Sequence, residues 1–148
     1  MGGTLKQFDY ENLEIGEDLG TRSFVITDEM IQDCAESIES HHNWYFKDSP
    51  LGGRIAPPTI FDNESLRMLD TCYARFGSIH AKQTWRFLKP VLVGTKVYVN
   101  VRIADKFVKR EKGYFIMELI AKDDRGDTVC MGQHTSVVSL VRKQGTDV

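Results

Sequence analysis

Thr95-Lys96-Val97-Tyr98-Val99-Asn100-Val101-Arg102-Ile103 alternates apolar and polar side chains without a break. A period of two is the mark of a strand with one buried face and one wet face. Downstream, Phe115, Met117, Leu119 and Ala121 repeat the pattern. The turn-forming run Asp123-Asp124-Arg125-Gly126-Asp127 then leads into a further strand, reaching Leu140, in which Val129, Met131, Thr135 and Val137 read as the apolar set. Upstream, Ile79 to Leu88 fits one more strand. The second half of the chain is thus expected to be four antiparallel strands.

The first half has helical spacing. Phe24-Val25-Ile26-Thr27 ends a strand, Thr27 is placed to cap a helix, and Asp28 and Glu29 suit its first turn. Ile31, Cys34, Ala35 and Ile38 then recur at i, i+3, i+4 and i+7. A second helix of about four turns is expected from Thr59, its cap, to about Gly77, with Leu66, Leu69, Tyr73 and Phe76 on one face. Between the helices, Glu39 to Pro58 has no period and reads as a loop of about 20 residues, a length that points to function. One sheet wrapped on one long helix is an α+β plan, here a single domain over residues 1–148.

Composition narrows the functions. Nineteen basic and 21 acidic residues among 148 give a formal charge of -2, which offers a polyanion no net attraction, so no nucleic acid partner is expected. No apolar run is long enough to span a bilayer and no signal core stands at the N-terminus, so a cytoplasmic protein without a membrane partner is expected. Cys34, Cys72 and Cys130 are too few and too far apart for a zinc knuckle or a disulfide framework and read as buried reduced thiols.

Three stretches resemble the MaoC-like hydratase and dehydratase family. They are Ser49-Pro50-Leu51-Gly52-Gly53-Arg54-Ile55-Ala56-Pro57-Pro58, the run Ile79 to Gly94 with Pro90 and Val91-Leu92-Val93-Gly94, and the strand pattern from Lys96 to Val138. The resemblance implies the hot-dog fold, an antiparallel sheet around a central helix, and a dimer with a second copy or another hot-dog chain. It also implies adding or removing water across the double bond of an enoyl or 3-hydroxyacyl thioester. Coenzyme A or acyl carrier protein would be part of that substrate, with no other cofactor and no metal. Family members use an aspartate and a histidine in a D-x-N-P-x-H motif. Aligned on Asn43, this chain has His41 at the aspartate, Trp44 at the proline and Phe46 at the histidine. Where active members have a glycine whose N–H binds the thioester oxygen, Pro57 and Pro58 offer none.

His41, His42 and Tyr45 are therefore the candidate substitutes for proton transfer, with solvated loop histidines as the plainer alternative. Asn43, Trp44, Arg54, Ile55, Ala56, Thr59 and His80 are the candidate substrate-binding residues. Three functions follow: a hydratase or dehydratase with substitute residues, a non-catalytic hot-dog subunit that shapes an acyl pocket, or a thioesterase using Asp62 or Glu64. Lys106, Lys109, Arg110 and Lys112 cluster at an expected hairpin end, either as a solvated turn diluted by Glu111 or as an attractor of phosphates or an acidic carrier protein.

Overall fold

A computed structural model describes residues 3–75, 77–138 and 140. In chain order it contains β1 (Lys6–Gln7), β2 (Asp18–Val25), α1 (Asp28–Ser37), α2 (Asn43–Phe46), a 3₁₀ turn (Pro58–Phe61) and α3 (Glu64–Cys72). There follow β3 (Tyr73–Ala74), β4 (Ile79–Phe87), β5 (Lys96–Lys109), β6 (Lys112–Asp123) and β7 (Thr128–Val138). Five of the strands form an antiparallel sheet in the order β2-β5-β6-β7-β4. The α+β hot-dog plan is the one observed.

The alternation in β5 does what its period demands. Val97, Val99, Val101 and Ile103 are fully buried, and their β6 partners Ala121, Leu119 and Met117 carry the same face across the sheet. Helix α3 lies on that face, with Met68 and Leu69 buried beneath it. At its start Glu64 is buried but not alone, since Arg22 Nη1 of β2 donates to both carboxylate oxygens at 2.8 and 2.9 Å. A buried carboxylate left without that partner would be strongly destabilising. Thr27 caps α1 as expected, its side chain accepting from the Met30 N–H.

Four expectations are corrected. Thr59 does not cap the central helix, because the double proline forces a separate 3₁₀ turn first and Asn63 then precedes α3 without a side-chain cap. The helix ends at Cys72 rather than near Gly77. Tyr73 turns extended, pairs with Lys6 in a short parallel ladder, and donates its hydroxyl to the Glu17 carboxylate. Phe76 lies outside the described residues. The thiols also differ, since Cys130 is buried whereas Cys34 and Cys72 are only half-buried.

The fourth correction concerns β7. Its register with β6 pairs Cys130, Gly132, His134 and Ser136 with Ala121, Leu119, Met117 and Phe115. These four, and not Met131, Thr135 and Val137, therefore face the core. The inward positions are small or polar because the neighbouring edge strand fills the space. A Cβ on Gly132 would sit 2.5 Å from the Trp85 ring of β4. Met131, Thr135 and Val137 of the expected set line the outer face, whereas Val129 is buried.

Leu69, with no exposed surface, ties α3 to the sheet. Leu69→Ala should lower the unfolding free energy by about 2–5 kcal/mol, read from urea denaturation. A loss below about 1 kcal/mol would mean that the helix is not the lid of this core.

Candidate functional site

Where the double proline opens the 3₁₀ turn, the chain is bolted to the β4–β5 connection. Ala56 N donates to Val91 O at 2.8 Å, Val93 N donates to Arg54 O at 2.9 Å, and Ile55 bridges to Leu92. Loop 39–58 is held in turn by α2. Ile55 N donates to Trp44 O at 3.0 Å, and Arg54 Nε donates to Tyr45 O at 2.7 Å. Gly52, at φ +98°, makes the tight return between Ser49 and Gly53 that a side chain would strain.

These ties enclose a cavity of about 310 Å³. Tyr45, Ile55, Ala56, Pro57, Pro58 and Ile60 form one wall. Phe87, Leu88, Pro90 and Val91 form a second, and Val129 and Cys130 close it from β7, with Lys89 at the side. The lining is apolar, and its titratable groups are poor proton carriers near neutral pH. Burial pushes the Cys130 thiol up to about 12, with the nearby Asp62 charge adding to it. Burial also raises the Tyr45 phenol. Lys89 is held charged by Asp123 at 2.6 Å and Asp127 at 3.0 Å. Among the described residues, no carboxylate or imidazole lines this cavity.

The sequence candidates divide accordingly. Tyr45, Ile55 and Ala56 line the cavity. His42 instead caps α2, its Nδ1 accepting from the Trp44 N–H at 3.2 Å, and its ring packs against Trp44 and Tyr45. His41, Asn43 and Trp44 are exposed on the outer side of that turn. Arg54 is a structural clip, with Nη1 on Asp28 Oδ1 at 2.7 Å and Nε on Tyr45 O. Thr59 faces α1, 3.6 Å from Cys34 Sγ.

His80 lies elsewhere, on the inner face of β4, stacked on His134 at 3.9 Å between ring centroids. Its Nε2 donates to the Lys82 carbonyl at 3.2 Å, since a carbonyl can only accept. His134 is buried, its Nε2 lies 2.7 Å from Ser136 Oγ, and its Nδ1 has no partner among the described residues. Asp62, between this pair and the 3₁₀ turn, is raised by desolvation, while the Trp85 indole and the His80 charge act in the opposite sense.

Solved structures carry the same architecture. The unliganded R-hydratase PhaJ1 from Pseudomonas aeruginosa superposes with a TM-score of 0.74 at 19% identity, over 90% of this chain and 87% of that one. A C-terminally truncated HadBC (3R-hydroxyacyl-ACP dehydratase) complex from Mycobacterium tuberculosis gives 0.70 at 18% identity, over 93% and 99%. A MaoC-like dehydratase from Rhodospirillum rubrum gives 0.69 at 16% identity, over 88% and 95%. The chain has the fold of these hydratases and dehydratases. No protein-family model matches the sequence, and no curated protein matches it. No helix among the described residues is long and apolar enough to cross a membrane.

Sequence reading found one wall of the cavity and missed the other two. Phe87 to Val91 carried a signal in Pro90, which breaks the strand where the wall turns. Cys130 reads as a buried thiol, but nothing in its spacing ties it to this wall.

His134 makes stability depend on pH. Burial, then the charges of His80 and Arg75, depress it from 6.5 to about 4. Between those values the unfolded chain binds a proton that the folded chain does not, so stability falls as pH drops through that window. The urea midpoint should fall from pH 7 to pH 5, and His134→Asn should flatten that slope. An unchanged slope in the variant would show that other groups set it.

Proposed function

We propose that this chain is a MaoC-like hot-dog subunit that holds the acyl part of an enoyl or 3-hydroxyacyl thioester, carried on coenzyme A or acyl carrier protein, for a hydratase or dehydratase reaction. The observation that supports this most directly is the apolar cavity at the start of the central helix. It is large enough for a short acyl chain and has one open side at Phe87 and Leu88, which are 50% and 48% exposed.

Water addition to an enoyl thioester needs a base to take a proton from water as its oxygen bonds to the β-carbon. It also needs an acid to deliver a proton to the α-carbon, and donors to hold the negative charge that builds on the thioester oxygen. The cavity lining supplies no neutral-pH base, and Pro57 and Pro58 remove two backbone donors from the helix start. The geometry therefore favours a division of labour, in which this chain binds the acyl group and a partner hot-dog chain supplies the acid and base. The HadBC neighbour is itself a complex, which agrees with that reading. A self-sufficient hydratase is the second reading, and the place of Tyr45 in the wall is what favours it.

Pairing would run through β4. This strand is an edge of the five-stranded sheet, nine residues long, and carries Ile79 and Phe87 exposed at its ends. An uncovered edge of that length is a template for another strand. The purified chain should run as a dimer in light scattering at micromolar concentration, and a monodisperse monomer would remove the proposed assembly.

Two measurements test the function. Crotonyl-coenzyme A should bind the wild-type chain, and Ile60→Trp, which fills the cavity, should weaken binding by about tenfold or more. Hydration should be absent from the chain alone and appear on adding a hot-dog partner with an intact aspartate and histidine. Robust hydration by the chain alone, lost in Tyr45→Phe, would establish the second reading instead.

A further inference from the structure

The outer face of the sheet carries a feature that the cavity does not use. Phe107, Tyr114, Val137 and Ile79 are paired in register across β5, β6, β7 and β4, making one apolar row. Phe107 and Tyr114 stack face to face, 5.1 Å apart with 6° between their planes. Ile79 is 68% exposed and Phe107 36%. Four strands spaced as in any sheet make the row about 14 Å long, the length of a helix of roughly ten residues.

Cations rim this row. Lys109 and Lys112 pair across the hairpin, Arg110 stands at its tip, and Lys82 flanks the β4 end, all exposed. Among the described residues none of the four has a carboxylate within ion-pair distance, while Asp105 and Glu111 are the acidic groups nearby. Lys106, the remaining basic residue of this stretch, is withdrawn. Its Nζ donates to Tyr10 O at 2.9 Å and sits over the Tyr10 ring. Both turn residues, Arg110 and Glu111, have left-handed backbones, at φ 50° and 60°, where Asn-Gly is the usual choice.

We infer that this row and its basic rim are a docking surface for an acidic acyl carrier protein. The inference rests on the proposed reading that the ligand is a carrier-borne acyl group, and it selects the protein carrier over coenzyme A. A second copy of the chain fits poorly, because two such faces would bring lysine rims together. A nucleotide fits poorly too, since the cations are spread around an apolar row rather than converging on one phosphate, and the aromatic pair is already stacked on itself. An acidic helix with apolar residues along one side meets both parts of the surface.

The position also makes sense of the assembly. Within one chain the row and the cavity lie at opposite ends of β4, roughly 26 Å apart. Antiparallel pairing of β4 with a partner's edge strand brings the Ile79 end beside the far end of the partner's strand. A carrier seated on this chain would then deliver its acyl group to the neighbouring protomer.

The test uses the full chain with three probes: a crotonylated bacterial acyl carrier protein, the same carrier with its pantetheine arm unacylated, and crotonyl-coenzyme A. Fluorescence anisotropy reads the affinities, and circular dichroism checks the fold of each variant. Lys109→Glu with Lys112→Glu should weaken both carriers by about tenfold and leave crotonyl-coenzyme A unchanged. Phe107→Ser with Tyr114→Ser, on strands away from the pairing edge, should do the same, and added salt should weaken the wild-type carrier complex. Carrier affinity unchanged in both double variants would overturn the inference, as would an equal loss for coenzyme A. If the wild type binds both carriers and the variants do not, while crotonyl-coenzyme A never binds, the surface stands and the acyl-cavity reading falls.

Discussion

A short helix has to cover a wide sheet, and most of this molecule follows from that mismatch. Helix α3 has nine residues and is therefore about 14 Å long, while five strands side by side span about 19 Å between the outer two. The helix packs chiefly on β2, β5 and β6, where the buried valines, Leu119 and Met117 lie. The inner face of β7 and β4 is left to other groups. Part of it is filled by Trp85 lying over Gly132 and by the His80–His134 stack. Another part, between Cys130, Phe87 and the double proline, is not filled, and it is the cavity.

How much of this the sequence discloses depends on how local the cause is. The alternation from Lys96 to Ile103 and the Thr27 cap act through neighbours in the chain, and both were legible. The Ala-Pro-Pro run is legible as the entry to a helical turn, with Ile55 and Ala56 in the cavity wall beside it, although α3 itself begins only at Glu64. Arg54 was legible by type only. An arginine calls for an anion, and an ion pair is what the fold supplies, but Asp28 and the Tyr45 carbonyl reach it from different elements that no local pattern connects. The central helix was overextended because Tyr73 keeps helical spacing, and only the parallel strand Lys6–Gln7 diverts it. In β7 both faces carry apolar residues, so the period is clear and the phase is not. A one-residue error of phase leaves His134 and Ser136 out of the expected core, where the register places them.

The polar groups near the cavity show why its chemistry reads as incomplete. Burial keeps His134 neutral, and its ring is held by Ser136 and covered by His80, so it is built to pack rather than to exchange protons with a ligand. Cys130 is pushed away from the thiolate by the same loss of water. Both prolines at the helix start fix the backbone and remove donors. Each of these choices favours holding apolar matter and disfavours stabilising charge. On the proposed reading, a site with that bias would serve a reaction by position and water exclusion, and charge stabilisation would have to come from outside the lining.

The two edges of the sheet complete that logic. Strand β2 is bent at Asp18–Gly20 by a register shift and runs directly into α1, so its edge is interrupted. Strand β4 shifts register once, between His80 and Lys82, and then runs straight to Phe87. Charged side chains on an edge, such as Lys82 and Arg86 here, discourage indiscriminate pairing and leave pairing with a matched strand open. The inner residues of β4, Trp85 and Phe87, stack on each other and remain partly uncovered by the helix. Covering them from a second chain would close the open side of the cavity and shield the apolar face that nine helical residues cannot reach. On the proposed reading, assembly and ligand binding would therefore be two consequences of one geometric deficit.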